Sequence, residues 1–88
     1  MPQINVGTTA VVVVPRVEGY LLDFLVQNVS ANNVYLVEST SESTATGIKI
    51  VPSDFLNGED WDKDIILIAD GDSSDVRYIY RRKEKKTG

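Results

Sequence analysis

The stretch that decides the fold is Tyr20-Leu21-Leu22-Asp23-Phe24-Leu25-Val26-Gln27-Asn28-Val29. Tyr20, Leu22, Phe24 and Val26 recur at every second position, and Asp23 and Gln27 fall between them. In an extended chain that period puts the apolar set on one face and the polar set on the other. Residues 20–29 therefore read as a strand with one side against a core.

On its C-terminal side, Ser30-Ala31-Asn32-Asn33 is turn chemistry, because Asn tolerates positive φ and bonds its own backbone. Residues 34–38 then return as the hairpin partner. Residues 39–46 (STSESTAT) are too polar to bury and too β-branched for a good helix, and predict an exposed loop or irregular edge. Gly47 breaks the chain, residues 48–51 form a short strand and Pro52 ends it. Residues 53–63 read as a polar connection carrying Phe55 and Leu56, with a turn at Asn57-Gly58. Ile65, Ile66, Leu67 and Ile68 build a buried strand over residues 64–69, and Asp70-Gly71-Asp72 is a turn. Residues 75–81 form the last strand, where Val76, Tyr78 and Tyr80 alternate with Arg77, Ile79 and Arg81.

On the N-terminal side, residues 8–14 form a strand that Pro15 ends, since proline offers no N–H to a ladder. Its four consecutive valines do not alternate with polar residues. They fit a simply buried strand, or one covered by core on one face and by another chain on the other. The second reading makes Val11 and Val13 candidate partner contacts. Almost nothing reads as helix, so the expectation is an all-β protein. It is a compact antiparallel β-sandwich or barrel, jelly-roll-like, of six to eight short strands. One domain spans residues 1–80, followed by a basic C-terminal tail over 81–88.

Composition narrows the chemistry. The chain has 88 residues, 42% of them hydrophobic and 25% charged, and contains no His and no Cys. That excludes disulfides, thiolate or imidazole metal sites, Ser-His-Asp and Cys-His triads, and histidine acid–base catalysis. The absence of Cys fits assembly in a reducing interior. Met1-Pro2-Gln3-Ile4-Asn5 lacks the basic and apolar regions of a signal peptide. The longest apolar run, residues 10–15, is far short of the roughly 20 residues that span a bilayer. No membrane partner and no cofactor are expected.

The net charge of −4 hides an asymmetry. Residues 1–76 carry Arg16, Lys49 and Lys63 against twelve carboxylates, for −9, whereas residues 77–88 carry six cations against Glu84, for +5. The basic end reads either as a solvated terminus or as a docking element for an acidic surface, with Arg81, Arg82 and Lys83 as candidate contacts. An acidic body and a tail without interleaved aromatics argue against a nucleic-acid partner.

Several segments together resemble small virion proteins of tailed bacteriophages. These often open with Gly-Thr-Thr-Ala, valines and a Pro, and continue with an apolar strand ending in Gln-Asn, a polar turn and Val-Tyr-Leu. A Gly-Ile-x-Ile/Leu-x-Pro strand follows, and the last strand reads Asp-Val-Arg. Here Gly7-Thr8-Thr9-Ala10, Val26-Gln27-Asn28, Val34-Tyr35-Leu36, Gly47-Ile48-Lys49-Ile50-Val51-Pro52 and Asp75-Val76-Arg77 stand in that order, across residues 4–80. The sequence departs at Ser53-Asp54, where a Pro-Gly-Glu-like turn is commoner, and in the basic extension 81–86. The resemblance implies a non-enzymatic capsid decoration or head-fibre protein, made in the host cytoplasm and bound to the virion head. Its partners would be the major capsid protein or another virion protein, with self-association, a trimer by analogy with capsid lattices. It transfers no catalytic residue. A carbohydrate-binding or host-adhesion module is the alternative, as is a tail, neck or head-completion component.

Two constellations bear on that alternative. Asp60-x-Asp62-x-Asp64 begins like a calcium loop, but the required Gly and Glu at loop positions six and twelve are Ile65 and Gly71, so no metal site is assigned. Paired carboxylates can also hydrolyse glycosides across a cleft, for which a domain this small has little room. Trp61, set among those acids, suits a sugar platform or a protein contact, or else caps the end of the core.

Overall fold

Strand β3 (Tyr20–Asn28) carries the period of two into the structure: Leu22, Phe24, Val26 and Asn28 are buried, and the residues between them are not. The computed structural model describes residues 2–85. Around β3 stand β1 (Gln3–Val6), β2 (Val11–Val14), β4 (Val34–Val37), β5 (Ile48–Ile50), β6 (Phe55–Trp61), β7 (Ile65–Ala69) and β8 (Ser74–Glu84). They form two four-stranded sheets, β1-β8-β3-β6 (sheet A) and β2-β7-β4-β5 (sheet B), with every pairing antiparallel. The protein is an all-β sandwich.

The core lies between the sheets. Val6, Leu22, Phe24, Val26 and Val76 from sheet A meet Val14, Val34, Leu36, Ile50, Ile65, Leu67 and Ala69 from sheet B. Each fully buried Leu or Val is worth about 1.5–3 kcal/mol of transfer free energy. A second cluster of Val37, Ile66 and Ile68, packed with Tyr35 and Ala10, occupies the other side of sheet B. Strand β7 is consequently buried along its whole length. Gly47 lies against this side of β4, where a Cβ would come within 2.8 Å of the Tyr35 Cβ.

The expected hairpin of residues 20–29 with 34–38 does not form. Strand β3 pairs with β6 and β8, and β4 pairs with β5 and β7 in the opposite sheet. The reason is Asn28, fully buried at the end of β3. Its Nδ2 donates to the carbonyls of Asn32 (2.7 Å) and Ile50 (2.8 Å), and its Oδ1 accepts from the Ser30 N–H (3.0 Å) and hydroxyl (2.7 Å). These bonds fold the polar turn inward and carry the chain from one sheet to the other.

Residues 53–63 are not a polar connection either, since β6 runs through Asn57-Gly58. A Cβ on Gly58 would sit 2.6 Å from Phe24 Cε1, so this glycine clears space for a core ring and makes no turn. A bulge follows between Gly58 and Trp61, with Asp60 at φ 56°. Of the strand expected over residues 8–14 only Val11–Val14 forms, as β2 with its own bulge between Val12 and Val14, and the sequence reading missed β1 (Gln3–Val6), which precedes it. The final strand passes Arg81 and pairs as far as Tyr20↔Glu84, with Lys85 N–H donating to the Gly19 carbonyl (2.8 Å). The basic tail expected from residue 81 onward is thus ordered strand through Glu84; residues 86–88 lie outside the described residues.

Candidate functional site

The outward face of sheet A gathers the chemistry that the sequence left scattered. Antiparallel register sets Arg81 beside Asp23, Ile79 beside Leu25, and Arg77 beside Gln27. On the other flank β6 adds Asn57 beside Leu25 and Phe55 beside Gln27. Phe55 and Ile79 are large apolar side chains in solvent, 57% and 54% exposed. Between β8 and β6 lies a shallow depression of about 300 Å³ lined by Asp23, Leu25, Asn57, Glu59 and Ile79.

At one end of this face, opposite charges interlock. Arg81 Nη2 and Lys83 Nζ reach the two oxygens of Asp23 at 2.9 and 3.0 Å, and Lys83 also pairs with Asp60. The Asp60 N–H, turned by the bulge, donates to Asp23 Oδ1 (3.2 Å). The Arg81 hydrogen bond first, then Lys83 and this backbone donor, hold the Asp23 carboxyl at about 2, below its ordinary 3.8. Lys83 is raised, by Asp60 first and Asp23 second.

A second network ties the strand ends together. Lys85 Nζ and Arg16 Nε meet Asp62 at 2.8 and 2.9 Å, and Arg16 also reaches Glu18 (3.0 Å). Lys85 first and then Arg16 hold Asp62 below its ordinary value, and Asp62 raises Arg16. All four shifts drive their groups further into the charged form. None tunes a group to exchange a proton near neutral pH, the condition a general acid or base needs.

The residues singled out from sequence fall in three places. Val11 and Val13 are half-buried and packed on the core. Trp61 is also half-buried there, edge-on to Phe24 with centroids 5.8 Å apart, and its Nε1 donates to the Asp64 carbonyl (3.0 Å). Arg81 and Lys83 stand on the outward face of sheet A. Arg82 faces the other way: its guanidinium lies over Tyr80 (5.2 Å) and donates to the Pro15 carbonyl (2.9 Å), joining β8 to the end of β2. Among the described residues no three acidic side chains converge as a metal site. Asp60 and Asp62 turn to separate cations instead.

Leu25, Phe55 and Ile79 are the surface residues that sequence reading missed. The signal was present for one of them: Ile79 shares the alternating face of Arg77 and Arg81, where an isoleucine has no core to enter. Comparison of the chain with family models, with curated proteins and with solved structures finds no match.

Proposed function

We propose that this protein is a non-enzymatic virion component, a small β-sandwich that decorates or cements the outside of a virus head. One structural observation carries the choice of a contact role over catalysis. Asp23, Asp60, Arg81 and Lys83 on sheet A are engaged with one another, while Phe55 and Ile79 stand in water on the same four-stranded face. Large exposed apolar residues rimmed by charge suit protein–protein contact. The virion assignment rests on the ordered motifs between residues 4 and 80. The segment Gly47–Pro52 of that series includes β5, an edge strand of sheet B whose Ile48 is also exposed. Edge strands offer unpaired backbone groups for attachment.

The test is to mix purified protein with virus-head shells assembled without it, and to image the shells. Added density at regular lattice positions is the expected result. Shells that neither gain density nor carry the protein through sedimentation overturn the proposal. The adhesion alternative has less support, because the Trp61 ring that would carry a sugar packs against Phe24.

A further inference from the structure

The two sheets are finished differently on their outward sides. On sheet B, Val37, Ile66 and Ile68 are buried under Tyr35 and Ala10. On sheet A, Leu25, Ile79 and Phe55 have no such cover among the described residues.

The layout of that uncovered face is self-complementary. Sheet A has four strands, so its midline falls between β8 and β3. Across this midline three outward rows set Arg81 beside Asp23, Ile79 beside Leu25 and Arg77 beside Gln27, and a fourth, toward the strand end, sets Lys83 beside Leu21. A two-fold axis along the midline, parallel to the strands, swaps the columns while keeping the rows. It lays Leu25 on the partner's Ile79, Asp23 on the partner's Arg81, and Gln27 on the partner's Arg77. It also brings β6 of one copy over β1 of the other, so Phe55 meets the partner's Gln3, which shares its row. In the central rows Leu25 and Ile79 thus meet each other and Asp23 meets a guanidinium, while Phe55 meets an amide. An isologous contact requires this property, since one patch must fit itself.

We infer that the outward face of sheet A binds a second copy of this chain, forming a face-to-face dimer through Leu25 and Ile79 with Asp23–Arg81 pairs beside them. Aligned sheets pack about 10 Å apart at about 30°. Inclining each copy's strands by half that angle to the axis satisfies the geometry. A face nine residues long at about 3.3 Å each, and four strands wide at about 4.8 Å, spans about 570 Å² per copy, reduced to about 500 Å² because β1 has only 4 residues. Two such faces bury about 1,000 Å², the size of weak, reversible complexes. The dimer is therefore concentration-dependent. It stands independently of what the protein attaches to.

Sedimentation equilibrium of the full chain, from micromolar to millimolar concentration, tests the inference. The expected weight-average mass rises from one chain toward two. Ile79→Lys, at a position already more than half in solvent, holds the mass at one chain with an unchanged far-ultraviolet spectrum. Val12→Lys, at an exposed position beside Ile66 on the far side of sheet B, associates like the parent chain. A parent chain that stays monomeric to millimolar concentration overturns the inference. So does Ile79→Lys associating as the parent does, or a plateau at three chains, which a two-fold face cannot build.

Discussion

Arg81 Nη2 stands 2.9 Å from Asp23 Oδ2, a pair separated by 58 residues in sequence and set side by side by the β3–β8 register. The charge division of the chain is therefore largely an internal complementarity. The basic end lies along the acidic centre of the same sheet, and Lys83 and Lys85 repeat the pattern with Asp60 and Asp62. Exposed ion pairs add little to stability singly. Their larger effect here is on register, since they favour the pairing that extends β8 beyond the core.

Truncation after residue 80 removes the strand that pairs with residues 20–23 and uncovers that end of β3. Antiparallel ladders exchange two hydrogen bonds at alternate residue pairs, so several bonds go with it. At about 0.5–1.5 kcal/mol net for each bond, the expected loss is about 2–4 kcal/mol. Urea unfolding followed by fluorescence reads it as a lower midpoint. A midpoint equal to the full chain's shows that residues 81–84 add nothing to the fold.

Acid should act through Asp23. Its folded value of about 2 lies below the ordinary 3.8, so the folded state binds its proton later than the unfolded chain does. Its contribution is complete above about pH 4 and is lost as the pH falls toward 2. The carboxyl carbon of Asp23, followed by NMR, should titrate near 2 in the parent chain and closer to 3.8 in Arg81→Ala. Identical midpoints in the two proteins remove Arg81 as the cause.

The strands legible from sequence are those whose pattern answers to the core alone. The alternation of Leu22, Phe24 and Val26, and the isoleucines of β7, named their buried positions before any contact was known. Strand β6 was hidden because Asn57-Gly58 is turn chemistry locally, and only the Phe24 ring, 34 residues earlier, explains the glycine. The false hairpin has a similar source. Ser30–Asn33 reads as a tight turn until Asn28 and the Ile50 carbonyl draw it across the sandwich. The candidate surface was least legible, since Leu25, Phe55 and Ile79 share a face only once three strands are paired.

Gly58→Ala should show that the glycine is required by packing. The added methyl meets two atoms of a buried aromatic ring at 2.6 and 2.7 Å, and a ring held in a core has little room to retreat. Overpacking of this kind costs about 1–3 kcal/mol. In a double-mutant cycle, Phe24→Leu should relieve much of that penalty, because the smaller side chain vacates the contact. Additive losses in the cycle mean that the cost arises in the backbone of β6.

Asn28→Asp separates the corner's hydrogen bonding from its shape. The two side chains are nearly isosteric, but the amide nitrogen that donates to the Asn32 and Ile50 carbonyls becomes an oxygen with nothing to donate. The buried Ile50 carbonyl loses this donor at about 1–3 kcal/mol, and the half-buried Asn32 carbonyl keeps only the longer bond from the Ser30 hydroxyl (3.2 Å). An ionised carboxylate there also faces their negative ends without water, which raises the variant carboxyl's own pKa. Lowering the pH restores one proton and hence one donor. The deficit of the variant relative to the parent should therefore be larger at pH 7 than at pH 5. Asp23, held at about 2, stays ionised at both, so the acid sensitivity of the sheet A network does not enter the difference. Unfolding midpoints in urea at the two pH values provide the comparison. A deficit that does not change with pH shows that the corner tolerates the charge, and that its bonds to Asn32 and Ile50 do not set the crossing between the sheets.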